Sequence, residues 1–169
     1  MRRWIRPPFG RAPAGVCRWC GGEVKKPRRT WCSAACVHEY QIRADGNVVR
    51  HEVHERDHGV CALCGLDTDA LEREAVDART SEYRRLIAEG VQARYVASVT
   101  LTTAQHGEVG IWFRRSLWEA DHIVPVAEGG GGCGLENYRT LCIWCHPKET
   151  GKLRRRLNAS RRPQGRLAL

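Results

Sequence analysis

No stretch of this 169-residue chain is apolar for long enough to cross a bilayer, which takes about 20 residues in a helix. The opening, MRRWIRPPFGRAPAG, is charged but has no apolar segment of the kind a secretory signal needs. It reads instead as a basic, Pro/Gly-rich arm over residues 1–16. Lysine is scarce and stands only at Lys25, Lys26, Lys148 and Lys152, so nearly all of the 28 basic residues are arginine. No G-x-x-x-x-G-K-[ST] loop is present, which excludes P-loop nucleotide chemistry within this sequence. Hydrophobic residues make up 42% and the mean hydropathy is −0.49, so the expected chain is soluble, with a limited core. No membrane partner and no small-molecule cofactor are expected.

The chain does carry charge of one sign. The 28 basic residues against 19 acidic ones leave a net +9, which favours a polyanionic partner. Arginine suits bidentate contact with phosphate, although codon usage in a GC-rich genome produces the same skew.

Nine cysteines are the strongest signal. Without a secretory signal a disulfide framework is not expected, because cytosol keeps thiols reduced. An intracellular setting, the bacterial cytoplasm or nucleoid, is expected. Eight cysteines fall into pairs: Cys17-x-x-Cys20, Cys32-x-x-x-Cys36, Cys61-x-x-Cys64 and Cys142-x-x-Cys145. One such pair brings two thiolates from a tight turn to one tetrahedral ion, and two pairs complete it. Two structural zinc sites are therefore expected, one from Cys17, Cys20, Cys32 and Cys36 and the other from Cys61, Cys64, Cys142 and Cys145. Cys133 is left over as a small loop residue.

The first four cysteines lie close enough for a local finger over residues 17–45: a knuckle, a basic hairpin through Lys25 to Arg29, and a helix capped by Ser33. The second four are far apart, so everything between them must be looped out and clamped at its base. From Asp69 to about Arg94, Leu71, Ala75, Ala78, Tyr83, Leu86, Ile87 and Val91 recur near the helical period. Ser98 to Trp112 alternates around Gly107 and Gly110, which reads as a strand pair or an irregular loop. No internal repeat is evident beyond the knuckles. Residues 46–158 form the main domain with an insertion at 67–117, and residues 159–169 are a basic tail.

The stretch LWEADHIVPV reads as a strand that ends at Pro125. EGGGGCG is a loop, NYRTLC a second short strand, and CHPKETGKLRRRL a helix with Pro147 in its first turn. This is a ββα unit with a cysteine knuckle at the helix start. Asp121 and His122 sit on its first strand, Asn137 opens the second, and His146 opens the helix. Adjacent strand residues point to opposite faces, so the strand must bend or end at His122 for both to serve one phosphate.

On these residues, DHIVP…EN…CxxCH, the sequence resembles the HNH endonucleases, whose name-giving residues fall on His122, Asn137 and His146. The resemblance implies an α+β fold: a small, zinc-stabilised ββα-metal (HNH, treble-clef-like) nuclease domain, with an N-terminal treble-clef-like zinc finger and a helical insertion. It implies that His122 is the general base, that Asp121 and His146 bind a catalytic divalent cation, and that Asn137 tethers the loop. It also implies cleavage that leaves 5′-phosphate and 3′-hydroxyl ends. The chemistry is consistent with those residue types. A neutral imidazole takes a proton from water near pH 7, and a carboxylate with an imidazole suits Mg²⁺ or Mn²⁺.

The expected substrate is DNA first and RNA second. Arg28 and Arg29 of the hairpin, with Lys148, Lys152, Arg154, Arg155 and Arg156 of the last helix, would hold phosphates without reading sequence. The competing possibility is a catalytically silent zinc-finger module that binds DNA or RNA. His51 and His54 could be ligands one helical turn apart, but a solvated helix face accounts for them. His38 and His106 fit no pattern. Trp118 and Trp144 are expected in packing around the core or the zinc, rather than stacked on bases. Oligomeric state does not follow from the sequence.

Overall fold

The cysteine knuckles explain much of the backbone. In CRWCGG, the Cys17 N–H donates to the Gly22 carbonyl at 2.7 Å and the Gly21 N–H to the Cys17 carbonyl at 2.9 Å. In CALCGL, the Cys61 N–H donates to the Leu66 carbonyl at 2.9 Å and the Gly65 N–H to the Cys61 carbonyl at 2.8 Å. Gly21 and Gly65 have φ of 72° and 71°, a left-handed backbone that glycine enters at little cost. Single antiparallel bridges, Val16 to Glu23 and Val60 to Asp67, close the two turns. The same turn is thus built twice, from the extended signature C-x-x-C-G.

The computed structural model describes residues 12–91, 96, 98–113 and 116–161. The first eleven residues of the expected arm, Arg94 at the expected helix end, and the tail beyond residue 161 lie outside the described residues. The architecture is mixed α+β, with four helices and two small antiparallel sheets among the described residues. Contacts divide the chain into two units, one of residues 1–57 with 120–139, the other of residues 58–119 with 140–169. The chain passes from one to the other after Asp57, Glu119 and Arg139.

The first unit begins with the Cys17 knuckle and a turn at Lys26–Pro27, where the Arg28 N–H returns to the Lys25 carbonyl at 3.1 Å. Helix α1 (Ala34–Ala44) follows, with Ser33 Oγ accepting from the Cys36 N–H at 3.1 Å, as the sequence predicts. Helix α2 (Gly46–Asp57) packs on α1, and its buried residues are Val49 and Val53. His51 is exposed on α2. Trp31 packs on Tyr40 in a tilted pair with centroids 4.7 Å apart, and the Arg18 guanidinium lies 4.8 Å from the Tyr40 ring. This finger is held by thiols, rings and cations as much as by aliphatic burial.

The second unit has the larger apolar core. Cys61, Leu66, Leu71, Ala75, Val109, Ile111, Leu117, Leu141, Cys142 and Cys145 form one buried cluster. Helix α3 (Thr68–Ala88) starts at the Asp67 cap, whose carboxylate accepts from the Ala70 N–H at 2.8 Å. It stops well before Arg94, because Gly90 turns left-handed at φ 73° and the Val91 N–H reaches back to the Leu86 carbonyl. Only its first half is buried, through Thr68, Leu71 and Ala75; Tyr83, Ile87 and Val91 face water. The strand-pair alternative holds for the next segment: β1 (Ser98–Thr103) and β2 (Gly107–Trp112) form a hairpin that pairs Ser98 with Trp112 and Thr103 with Gly107.

Strands β3 (Trp118–His122) and β4 (Tyr138–Cys142) make the second sheet, and helix α4 (Cys145–Arg161) follows. β3 ends at His122, three residues before Pro125, and Pro125 instead precedes a 3-10 turn at Val126–Glu128. Asn137 does not open β4; it closes a second 3-10 turn, Leu135–Asn137, and is 4% exposed. Cys133 is more than a loop residue: it is fully buried beside Tyr138.

Candidate nuclease site and cysteine clusters

His122 stands at the end of β3, where the strand stops and the glycine-rich loop begins. Its ring packs on Tyr138, with centroids 4.3 Å apart at 45°. Burial lowers its pKa, against the opposing pull of the Asp121 carboxylate, so the neutral imidazole is favoured. Burial, with Cys133 alongside, pushes the Tyr138 hydroxyl up to about 12, so the stacking partner stays neutral as well.

The loop after His122 is stapled by Asn137. Asn137 Oδ1 accepts from the Val124 N–H at 2.8 Å, and Nδ2 donates to the Val124 carbonyl at 3.0 Å and the Gly130 carbonyl at 3.1 Å. The Ile123 N–H also donates to the Asn137 carbonyl at 2.8 Å. One buried side chain therefore fixes both ends of the loop. Gly130 has to be glycine here, since a Cβ would overlap the Val124 carbonyl and sit 2.8 Å from Asn137 Nδ2. From α2, Arg56 donates to the carbonyls on either side of Asn137, Leu135 at 3.0 Å and Tyr138 at 2.8 Å. Asp57 holds the Arg56 guanidinium with two further bonds.

Asp121 is partly buried and pairs with Arg139, whose Nε and Nη2 both reach Oδ2 at 3.0 Å. Asp121, His122 and Asn137 are all in the first unit. His146 is in the second, half-buried in the first turn of α4, where its carbonyl accepts from Thr150 Oγ1 at 3.1 Å.

Both cysteine groupings read from spacing are assembled. Cys17, Cys20, Cys32 and Cys36 place their sulfurs within 4.8 Å of one another, and so do Cys61, Cys64, Cys142 and Cys145. The separations of 3.5 Å for Cys20–Cys32, 3.4 Å for Cys32–Cys36 and 3.8 Å for Cys64–Cys142 lie at or a few tenths of an ångström below the edge of a zinc tetrathiolate, about 3.8 Å for bonds of about 2.3 Å. Electrostatics point the same way. Burial raises the Cys17 thiol, but the N–H groups of Cys20, Cys32 and Trp19 outweigh it and bring it down to about 6. Cys61 is likewise raised by burial and brought down to about 7 by the N–H groups of Cys142, Cys64 and Leu63. Their neighbours move the other way: hydrogen bonds that the Cys32 thiol donates to Cys36 and Cys20 push it up to about 12, and burial raises Cys142 and Cys145. One thiolate per cluster forms readily and opposes the next, which is the opposition a bound dication removes. The donor sets fit zinc.

A histidine that fits no sequence pattern lies against the second cluster. His106, at the β1–β2 turn, places Nε2 3.4 Å from Cys64 Sγ and 3.5 Å from Cys142 Sγ. Trp144 packs beside it, half-buried, and Trp118 is buried. Arg56 and Arg139 also gave no signal in the sequence, because arginine occurs throughout it. Arg28, Arg29, Lys148, Lys152, Arg154, Arg155 and Arg156 are all exposed. On α4, Lys148, Lys152, Arg155 and Arg156 follow one helical stripe, and Arg154 lies off it.

Residues 107–152 match the family model described as HNH endonuclease. This stretch is an HNH endonuclease domain. The HNH match begins at β2 and ends within α4, so it includes every residue of the DHIVP…EN…CxxCH signature. The curated relatives extend the likeness beyond it. The DNA annealing helicase and endonuclease ZRANB3 of mouse is 33% identical over 151 residues, 81% of this chain and 13% of that protein. Its cattle counterpart is 34% identical over 127 residues, 72% of this chain and 11% of that protein. The human protein is 33% identical over 127 residues, 72% of this chain and 11% of that protein. The chain thus spans about an eighth or less of the relatives it matches. No solved structure matches it. Together the HNH match and these relatives support a nuclease role in general terms.

Proposed function

We propose that the chain is a metal-dependent HNH endonuclease that hydrolyses phosphodiester bonds in DNA. The observation that carries the proposal is the Asn137 staple, which fixes the backbone immediately after a half-buried His122. His122 activates the water by accepting its proton, a role that needs the neutral imidazole its burial favours. Tyr138 limits rotation of that ring, and Arg56 limits movement of the backbone carrying Asn137 and Tyr138. Following the HNH pattern, Asp121 and His146 would hold a divalent cation, Mg²⁺ or Mn²⁺, which when bound stabilises charge on the phosphate and the leaving 3′-oxygen. Arg28, Arg29 and the basic stripe of α4 hold phosphates irrespective of sequence. DNA is the preferred substrate because the named relatives are DNA enzymes; RNA is the second choice. The products carry 5′-phosphate and 3′-hydroxyl ends.

One contact favours the alternative, a silent binding module: Arg139 occupies Asp121 Oδ2, where it competes with a cation. Supercoiled-plasmid cleavage in Mg²⁺ or Mn²⁺, set against EDTA, separates the two. His122→Ala should slow cleavage by roughly 10²–10⁴-fold, the usual worth of a general base, without loss of zinc or DNA binding. Added Mn²⁺ should recover part of the activity of Asp121→Ala and His146→Ala but none of that of His122→Ala. Cleavage by His122→Ala at the wild-type rate would overturn the assignment.

A further inference from the structure

We propose that His106 belongs to the second cysteine cluster as a hydrogen-bond donor, its Nε2–H shared between the thiolates of Cys64 and Cys142, so that the β1–β2 hairpin is fastened to the metal centre. The inference requires zinc on that cluster and is independent of nuclease activity. It stands on geometry within one unit. Nε2 is 3.4 Å from one sulfur and 3.5 Å from the other, and those sulfurs are 3.8 Å apart. The nitrogen therefore bridges one edge of the sulfur tetrahedron. Cys61, Cys64, Cys142 and Cys145 already supply the four ligands of a tetrahedral site, which leaves the His106 nitrogen outside the ligand set.

The backbone and the ring of His106 are each held by one contact. The backbone N–H of His106 donates to Thr103 Oγ1 at 3.0 Å, and Thr103 is buried at the base of the turn. The imidazole lies 5.3 Å from the Trp144 ring at 32°, and Trp144 is inside the Cys142–Cys145 turn. The turn and the knuckle thus position one imidazole between them.

Four thiolates on one dication leave a net charge of −2, which an N–H donor reduces without displacing a sulfur. Donors of this kind outside the coordination sphere change metal affinity by about 10–100-fold. They also shield the sulfur lone pairs from protons. Cys64 is the one partly exposed thiol of this cluster, so its sulfur gains most from a donor overhead. In mechanical terms, the hairpin is anchored at its tip to the cluster and along its strands to the apolar core through Val109 and Ile111.

The test uses the full zinc-loaded chain. Two-dimensional long-range ¹H–¹⁵N spectra of the wild type should show His106 protonated on Nε2, with Nδ1 bare. Co²⁺ in place of zinc should give the charge-transfer bands of four thiolates. Zinc transfer to a chromogenic chelator should then speed about 10–100-fold from the second site in His106→Phe, which keeps a ring against Trp144 but has no donor. The first site should release at its wild-type rate. His106→Gln, which restores an N–H, should recover part of the loss. A proton on Nδ1, a three-sulfur one-nitrogen Co²⁺ spectrum, or unchanged release in His106→Phe would each overturn the proposal. The tautomer and the spectrum are read on the wild type, so a variant that fails to fold does not remove the test. Purified wild type with fewer than two zinc ions would refute the zinc assignment itself, a separate failure.

Discussion

The two cysteine clusters use the same knuckle for opposite purposes. In the first, Cys20 and Cys32 are 12 residues apart and the surroundings are open, with Cys20 exposed and Cys32 and Cys36 half-buried. In the second, Cys64 and Cys142 are 78 residues apart, and Cys61, Cys142 and Cys145 are buried in the apolar core. The longer closure costs about 1.5–2 kcal/mol more in chain entropy. That is small beside the roughly 10–16 kcal/mol of a structural zinc site. The long loop is therefore a minor charge on the second cluster, and the intervening segment is used to build α3, the β1–β2 hairpin and most of the core. The first cluster holds a local finger together. The second holds a unit together.

The largest test of that difference removes one thiol from each. Cys142→Ser should lose one of two zinc ions and unfold the second unit, because stabilisation on the order of 10 kcal/mol goes with the metal and domains have about 5–15 kcal/mol in all. Cys20→Ser should also lose one zinc, yet leave the near-ultraviolet signal of Trp118 and Trp144 in place. Elemental analysis with thermal unfolding reads both. Equal collapse in the two variants would break the comparison.

A smaller effect is expected at Asn137. Asn137→Ala leaves the Val124 N–H and the Val124 and Gly130 carbonyls without their partner, at about 1–3 kcal/mol for each buried group that finds no replacement. Denaturant titration should show the loss while both zinc ions remain, which would place the loop's stability outside either metal. Zinc loss in this variant would tie the loop to a cluster instead.

The smallest effect concerns what each cluster's flank does for a polyanion. Replacing Arg154, Arg155 and Arg156 by Ala should weaken DNA binding equally across unrelated sequences and lower the salt dependence by up to about three phosphate contacts. Arg154 lies off the stripe formed by the other two, so about two contacts are the more consistent outcome. Arg28→Ala with Arg29→Ala should remove at most about two in the same way. A sequence-selective loss in either set would mean that the flank reads bases.

Much of this was legible in advance because it is local. The C-x-x-C spacing closes its turn within five or six residues. Ser33 precedes its helix with its oxygen placed to accept a free N–H group, whereas the Asp67 cap, two residues before the expected helix start, was seen only in the structure. The hairpin shows as alternation. The pairing of distant cysteines followed from the need for four ligands. The strand boundaries at His122 and Asn137 did not follow, because β-branched Ile123 and Val124 look like strand while the Asn137 bonds pull them into the loop.

Only the tertiary structure decided which unremarkable residues complete these sites. His106 lies 42 residues from Cys64 and 36 from Cys142, Arg56 lies 79 from Leu135 and 82 from Tyr138, and Arg139 lies 18 from Asp121. No spacing rule connects them, since an imidazole or a guanidinium can be brought to a sulfur or a carbonyl by any path of the chain. Metal ligands in a knuckle are constrained by bond lengths of a few ångströms and so leave a spacing in the sequence. The donors around them are constrained only by where the core happens to carry them.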